Sequence, residues 1–186
     1  QKLWRQNHYF STMKRLLFLG LFLCMCTAYA QEIIGPITLE DLKKEPFAEW
    51  FNTEYENYAP FGKTIAQLDA LQEDLAITIF MGTWCSDSKM HVPAFFRILD
   101  EFAFSGEVQI IGVDRDKKTP TGSATENGIT NVPTFIFYKD GKEVNRIVES
   151  PVEFLEDDIL AILSGSDYKH TYENWCRFKK QPKKLS

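Results

Sequence analysis

Cysteine is scarce in this chain: four in 186 residues, at positions 24, 26, 85 and 176. Cys24 and Cys26 fall in an apolar leader that is expected to be removed, leaving Cys85 and Cys176. Two cysteines are too few for a disulfide scaffold, and they offer no zinc-ligand spacing. No metal or cofactor is expected. Basic residues are also short outside the leader. Residues 1–30 hold Lys2, Arg5, Lys14 and Arg15 and no acid; the remainder carries 17 basic against 26 acidic side chains, a balance of −9 within a whole-chain charge of −5. An acidic body argues against a nucleic-acid partner. The rest of a calcium loop is missing around Asp114-Arg115-Asp116, which reads as a solvated turn. There is no internal repeat and no low-complexity segment. What remains is 44% hydrophobic, enough for one sizeable core, so one domain with extensions is expected.

The front of the chain has the pattern of a secretory signal: basic Met13-Lys14-Arg15, apolar Leu16 to Cys26, then small-x-small Ala28-Tyr29-Ala30. Cleavage after Ala30 would leave Gln31 as the new end. Met13 is the expected start, and residues 1–12 read as upstream sequence outside the natural protein. The expected location is exported, periplasmic or extracellular, with no stable membrane insertion once the signal is removed. The alternative is an anchor, through an uncleaved signal or a lipid. The apolar run is short for a span. Bulky Leu23 and Met25 precede Cys24 and Cys26, where lipoprotein processing wants a small residue.

Gln31 to Pro36 reads as an extended lead-in. Thr38 can cap a helix from Leu39 to Lys44, which Glu45-Pro46 ends or kinks. Phe47, Trp50, Phe51, Tyr55 and Tyr58 fall near helical spacing and suit an apolar face packed on the domain, with a ligand-binding stripe as the alternative. Thr64 to Glu73 suits a short amphipathic helix. Leu75 to Met81 reads as a strand buried on both faces. Ser86 to Phe104 is an amphipathic helix interrupted by Pro93, and Glu107 to Val113 the next strand. Val132 to Tyr138 and Glu143 to Glu149 flank Lys139-Asp140-Gly141-Lys142, a hairpin signal. Ser150-Pro151-Val152-Glu153 reads as a capped start for a helix reaching Leu163. The tail places Tyr168, Tyr172 and Trp175 at helical steps, then Cys176 and a basic end; it is expected to dock as a helix.

The chain is organised around Gly82-Thr83-Trp84-Cys85-Ser86-Asp87-Ser88. The predicted order is strand, tight turn, helix, with one cysteine at the helix entrance. There the helix dipole and unpaired backbone N–H groups favour thiolate, the nucleophile of disulfide exchange. The second landmark is Asn131-Val132-Pro133-Thr134, just before a strand.

These residues resemble the thioredoxin family over roughly Thr64 to Leu163. Trp84-Cys85-Ser86-Asp87-Ser88 aligns with its Trp-Cys-x-x-Cys site, Gly128 to Phe135 with the segment carrying its cis-proline, and Tyr138 to Glu143 with the following hairpin. The resemblance implies an α/β thioredoxin-like fold: a central mixed sheet flanked by helices, here with an N-terminal helical extension and a C-terminal helical tail. Residues 13–30 are then the signal, 31–63 the extension, 64–165 the thioredoxin-like domain and 166–186 the tail. It also implies roles. Cys85 would be the attacking thiol, Trp84 would shield one side of the sulfur, and Pro133, if cis, would lie against Cys85. Val132 would offer backbone groups to an extended substrate strand.

Two departures bear on activity. Ser88 stands where the family has its resolving cysteine; a hydroxyl can hydrogen-bond a thiolate but cannot attack a disulfide. Ile79 stands where thioredoxins carry a buried acid. Both point away from a general dithiol reductant. His91, six residues past Cys85, is turned away on a helix and reads as an ordinary histidine. Lys89 and Asp87 pull the thiol's acidity in opposite directions. Gly82, three residues before the cysteine, excludes a peroxiredoxin pattern. Cys176 could resolve a mixed disulfide if the tail crosses the site; otherwise it is a half-buried cysteine beside Trp175.

The leading expectation is thiol–disulfide exchange of monothiol type through Cys85, on protein or small-molecule thiols and disulfides, with weak general reductase activity. The alternatives are a non-catalytic thioredoxin-fold module binding a protein or peptide, and a redox sensor pairing Cys85 with Cys176. Nothing in the sequence sets an oligomeric state.

Overall fold

The computed structural model describes residues 32–173. The signal expected at 13–30, the upstream residues 1–12, and Trp175 and Cys176 lie outside the described residues. Five strands form one sheet in the order β1-β3-β2-β4-β5: β1 Gly35–Ile37, β2 Leu75–Met81, β3 Glu107–Gly112, β4 Thr134–Lys139 and β5 Lys142–Val148. β2 and β3 run parallel, while β1–β3, β2–β4 and β4–β5 are antiparallel, so the sheet is mixed. The helices are α1 Leu39–Leu42, α2 Ala48–Asn57, α3 Gly62–Leu68, α4 Ser86–Glu101, α5 Ser123–Glu126 and α6 Leu155–Leu163. Among the described residues no helix is long and apolar enough to cross a membrane.

The two faces of the sheet bury different sets of side chains, as alternation along a strand requires. Ile77, Ile79 and Met81 of β2 and Phe135 and Phe137 of β4 join the larger core with α2, α4 and α6. Phe95 of α4 stacks on Phe135 at 4.5 Å between centroids. Phe80 and Ile136 point the other way, into a smaller core with Val113, Ala124, Ile129 and Val132. β2 is half-exposed at Ala76 and Thr78 and wholly buried from Ile79 onward. Burial on both faces is therefore confined to the end that delivers the Cys85 turn. At the far end of the sheet, Asp140 (φ 51°) and Gly141 (φ 70°) are both left-handed, the geometry a two-residue hairpin needs.

The N-terminal aromatic face packs inward. Phe47 and Phe51 are buried, Phe51 lies 6.3 Å from Phe96 of α4, and the Tyr55 hydroxyl donates to Asp100 at 2.6 Å. These contacts favour packing over a ligand stripe. The lead-in is more than extended chain. Gly35–Ile37 pairs with β3, and that close approach needs Gly112, where a Cβ would stand 2.1 Å from the Ile33 carbonyl. The segment 31–63 is thus not wholly helical. Thr38 does cap α1, in a capping box with Asp41.

The expected helix bounds differ at several ends, most of all at the last helix and in the tail. The last helix starts at Leu155, not at Ser150. Asp158 accepts the Val152 N–H at 2.7 Å, so its carboxylate folds residues 150–154 into a loop that Ser150 does not cap. Tyr168 lies in non-helical chain; its hydroxyl donates to the same Asp158 at 2.7 Å and its carbonyl accepts from Asn145 of β5 at 3.1 Å. Tertiary hydrogen bonds replace the helical ladder there.

Candidate functional site

Cys85 is the N-cap residue of α4, with extended backbone (φ −85°, ψ 129°) and a half-buried side chain. Its N–H donates to Gly82 O at 2.9 Å and its carbonyl accepts from Lys89 N at 3.1 Å. The turn is therefore closed by its own backbone, and the thiol stands at the helix mouth. Sγ lies 3.2 Å from the Val132 carbonyl oxygen, to which the thiol donates, and 4.0 Å from a carboxylate oxygen of Asp87, at the outer limit for sulfur. The Val132–Pro133 peptide is cis, and both residues are buried. Residues 47 positions apart in the chain thus meet at one sulfur.

Trp84, the residue before Cys85, is fixed by three contacts. Its Nε1–H donates to Val113 O at 3.0 Å, and the cations of Arg115 and Lys117 lie 5.3 and 5.9 Å from its ring. A Cβ on Gly82 would stand 2.6 Å from the indole, so glycine there makes room for the ring. The loop that brings the two cations over is folded by Asp114, whose carboxylate accepts from the backbone N–H groups of Asp116 and Lys118 at 2.9 and 2.8 Å. Arg115 also pairs with Glu32 at 2.8 Å.

Ser88 is fully buried, and its Oγ accepts the Gly82 N–H at 3.2 Å. Among the described residues no hydrogen bond joins Ser88 to Cys85. The hydroxyl braces the turn from inside. Ile79, at the position where thioredoxins carry a buried acid, is completely buried. His91 is half-buried; desolvation lowers its pKa, and the charges of Asp87 and Glu54 oppose that shift. No group of three His, Cys, Asp or Glu side chains among the described residues could hold a metal.

Sequence reasoning missed a polar knot beside Pro133. Asn131 Nδ2 donates to Glu149 at 3.2 Å and to the Tyr172 hydroxyl at 2.9 Å, and that hydroxyl donates to the other oxygen of Glu149. The Glu149 N–H donates to Pro133 O at 2.7 Å. The bond to Glu149 is the main cause that pushes the Tyr172 pKa up to about 12; burial and the charges of Glu149 and Asp87 add to it. The signal in the sequence was weak, one tyrosine in a tail that lacks helical structure before residue 171.

A family model described as Thioredoxin matches residues 52–161. The chain belongs to the thioredoxin family. It is 36% identical over 98 residues to a thioredoxin of Gallus gallus, covering 53% of this chain and 89% of that one. It is 32% identical over 82 residues to a thioredoxin of Staphylococcus saprophyticus, covering 43% and 73%. A thioredoxin of known structure from Nicotiana alata shares 25% identity over 58% of this chain and 89% of its own, with a TM-score of 0.39. The thioredoxin match takes in Cys85, Ser88 and Pro133 and ends before Tyr168 and Tyr172.

Proposed function

We propose that this thioredoxin-family protein carries out thiol–disulfide exchange of monothiol type, with Cys85 as its attacking thiol. The observation that carries the reading is the Cys85 sulfur, half-exposed at the mouth of α4 and 3.2 Å from the carbonyl before a cis-proline. A thiol at a helix N-terminus gains from the dipole and the unpaired N–H groups when it ionises. Trp84 and Val132-Pro133 wall the sulfur on the substrate side. Ser88 gives the turn its brace and supplies no second thiol, so a mixed disulfide on Cys85 waits for an external thiol to release it. The substrates are protein or small-molecule disulfides, in keeping with a family that acts on thiols and disulfides. The working layout keeps residues 13–30 as an export signal, 31–63 as the extension, 64–165 as the thioredoxin-like domain and 166–186 as the tail.

The decisive experiment labels the folded protein with a mixed-disulfide probe and maps the adduct. Cys85 should be modified in the folded state; a folded protein that resists while denatured protein reacts would sink the reading. Insulin reduction should be slow, and Ser88→Cys should raise it. Export is checked separately, by N-terminal sequencing of protein recovered outside the cytoplasm, with Gln31 as the expected first residue.

A further inference from the structure

The chain beyond α6 does not trail off the domain. Residues 164–173 form a strap held at four points along its length. The Tyr168 hydroxyl donates to buried Asp158, the Tyr168 carbonyl accepts from Asn145 of edge strand β5, and the Thr171 hydroxyl donates to Ser150 O at 3.1 Å. The last point is the Tyr172 knot with Asn131 and Glu149. A chain of contacts leads from the phenol to the Cys85 site. Asn131, which it bonds, is the neighbour of Val132, whose carbonyl meets the sulfur. Asp87, whose charge adds to the upward shift of the phenol's pKa, stands 4.0 Å from the same sulfur.

We infer that Tyr172 is a specificity-determining residue: it closes the groove beyond Asn131, so that Cys85 accepts disulfides carried by small molecules or chain ends and resists those in mid-chain. The inference rests on Cys85 being the reacting thiol. The Val132 carbonyl stands 3.2 Å from Sγ, so an incoming sulfur arrives beside the 131–133 loop. Whatever carries that sulfur then lies along the loop. A mid-chain cysteine carries backbone in two directions, and one of them meets the Tyr172 ring. A small carrier or a terminal cysteine needs only the open direction. The ring is held by two hydrogen bonds, one to a carboxylate, so displacing it has a cost. The chemistry is ordinary exchange. The Cys85 thiolate forms a bond to one sulfur, the old S–S bond breaks, and the other sulfur leaves with the electron pair as thiolate. No net electrons enter until an outside thiol displaces the substrate from Cys85.

The test uses one leaving group on two carriers: the 2-nitro-5-thiobenzoate disulfide of mercaptoethanol, and the same disulfide on a peptide with a mid-chain cysteine. Release of the coloured thiolate is followed for the full chain, with Cys85→Ser subtracted as the blank. The original protein should favour the small carrier by about tenfold or more, and Tyr172→Ala should narrow the gap to about threefold by speeding the peptide. The small-carrier rate should stay within about twofold. Tyr172→Phe, which keeps the ring and loses its tethers, should fall between the two and decides the matter if the alanine variant does not fold. An unchanged ratio in both variants overturns the strap inference and leaves the Cys85 reading standing. Release that is equal in the original protein and in Cys85→Ser overturns both.

Discussion

Two helix starts in this molecule gather residues from distant parts of the chain, and they are built in opposite ways. At the start of α6, Glu156 is 1% exposed, and it accepts from the Tyr58 hydroxyl at 2.5 Å and the Phe61 N–H at 2.9 Å. Asp157 takes the Thr64 hydroxyl, and Asp158 takes Val152 and Tyr168. Three consecutive-turn carboxylates are thus tied to the extension on one side and the strap on the other. At the start of α4, Cys85 stays half-buried, with one close partner and one distant one. Burial with every polar group paired makes the first a fastener, since each group is costly to release. Incomplete enclosure leaves the second free to react. The same backbone feature, a helix N-terminus, serves attachment in one place and, in the proposed function, chemistry in the other, and the difference lies in what surrounds it.

The comparison can be broken at either helix. Glu156→Ala should have the largest effect on folding, about 2–4 kcal/mol, because it strands the Tyr58 hydroxyl and the Phe61 N–H in a buried site. Denaturant titration measures it, and a loss under about 1 kcal/mol would mean the fastener is ornamental. Ser88→Ala comes next, at about 1–2 kcal/mol, since the Gly82 N–H loses its buried acceptor. Cys85→Ser should cost under about 1 kcal/mol while abolishing mixed-disulfide formation, the reverse of the Glu156 result. Equal damage to stability from the two helices would remove the contrast.

The smallest effect is in pH. Burial raises the Asp158 pKa above 3.8, and the hydrogen bonds from Tyr168 and from the backbone of Val152 and Glu153 pull it partly back. With the folded value above the unfolded one, the native state binds more protons between them. Stability from this group therefore rises as pH falls through the folded pKa, levels off below 3.8, and is lost again toward neutrality. Asp158→Asn should flatten that part of the stability–pH curve. An unchanged slope would show that the carboxyl is better solvated than its surroundings indicate.

Much of this was legible because it is local. Leu75–Met81 announces a strand by seven apolar or β-prone residues, and it forms with those bounds. Asp140-Gly141 announces its hairpin, and Thr38 its cap. Of the candidate site, Cys85 does meet Val132, the residue before Pro133, while Ser88 turns out to brace Gly82. What escaped depended on distant partners. β1 is three residues long, too short for any periodicity, and its trace was a glycine in the strand it pairs with. Ser150 had the form of a cap but lost to Asp158, a side chain one turn inside the helix. Asn131 meets Glu149 and Tyr172 across 18 and 41 positions, and polar residues at such separations leave no pattern to read.

Periodicity and turn chemistry, properties of neighbouring residues, were enough to specify the elements of an α/β domain, and the resemblance of the cysteine turn, proline segment and hairpin to the thioredoxin family supplied its fold and singled out one sulfur. Which hydroxyls brace, which carboxylates fasten and which tyrosine bonds Asn131 were set by long-range contact. Hydrogen bonds between side chains act over about 3 Å of space regardless of separation in sequence, so only the packed chain could assign them.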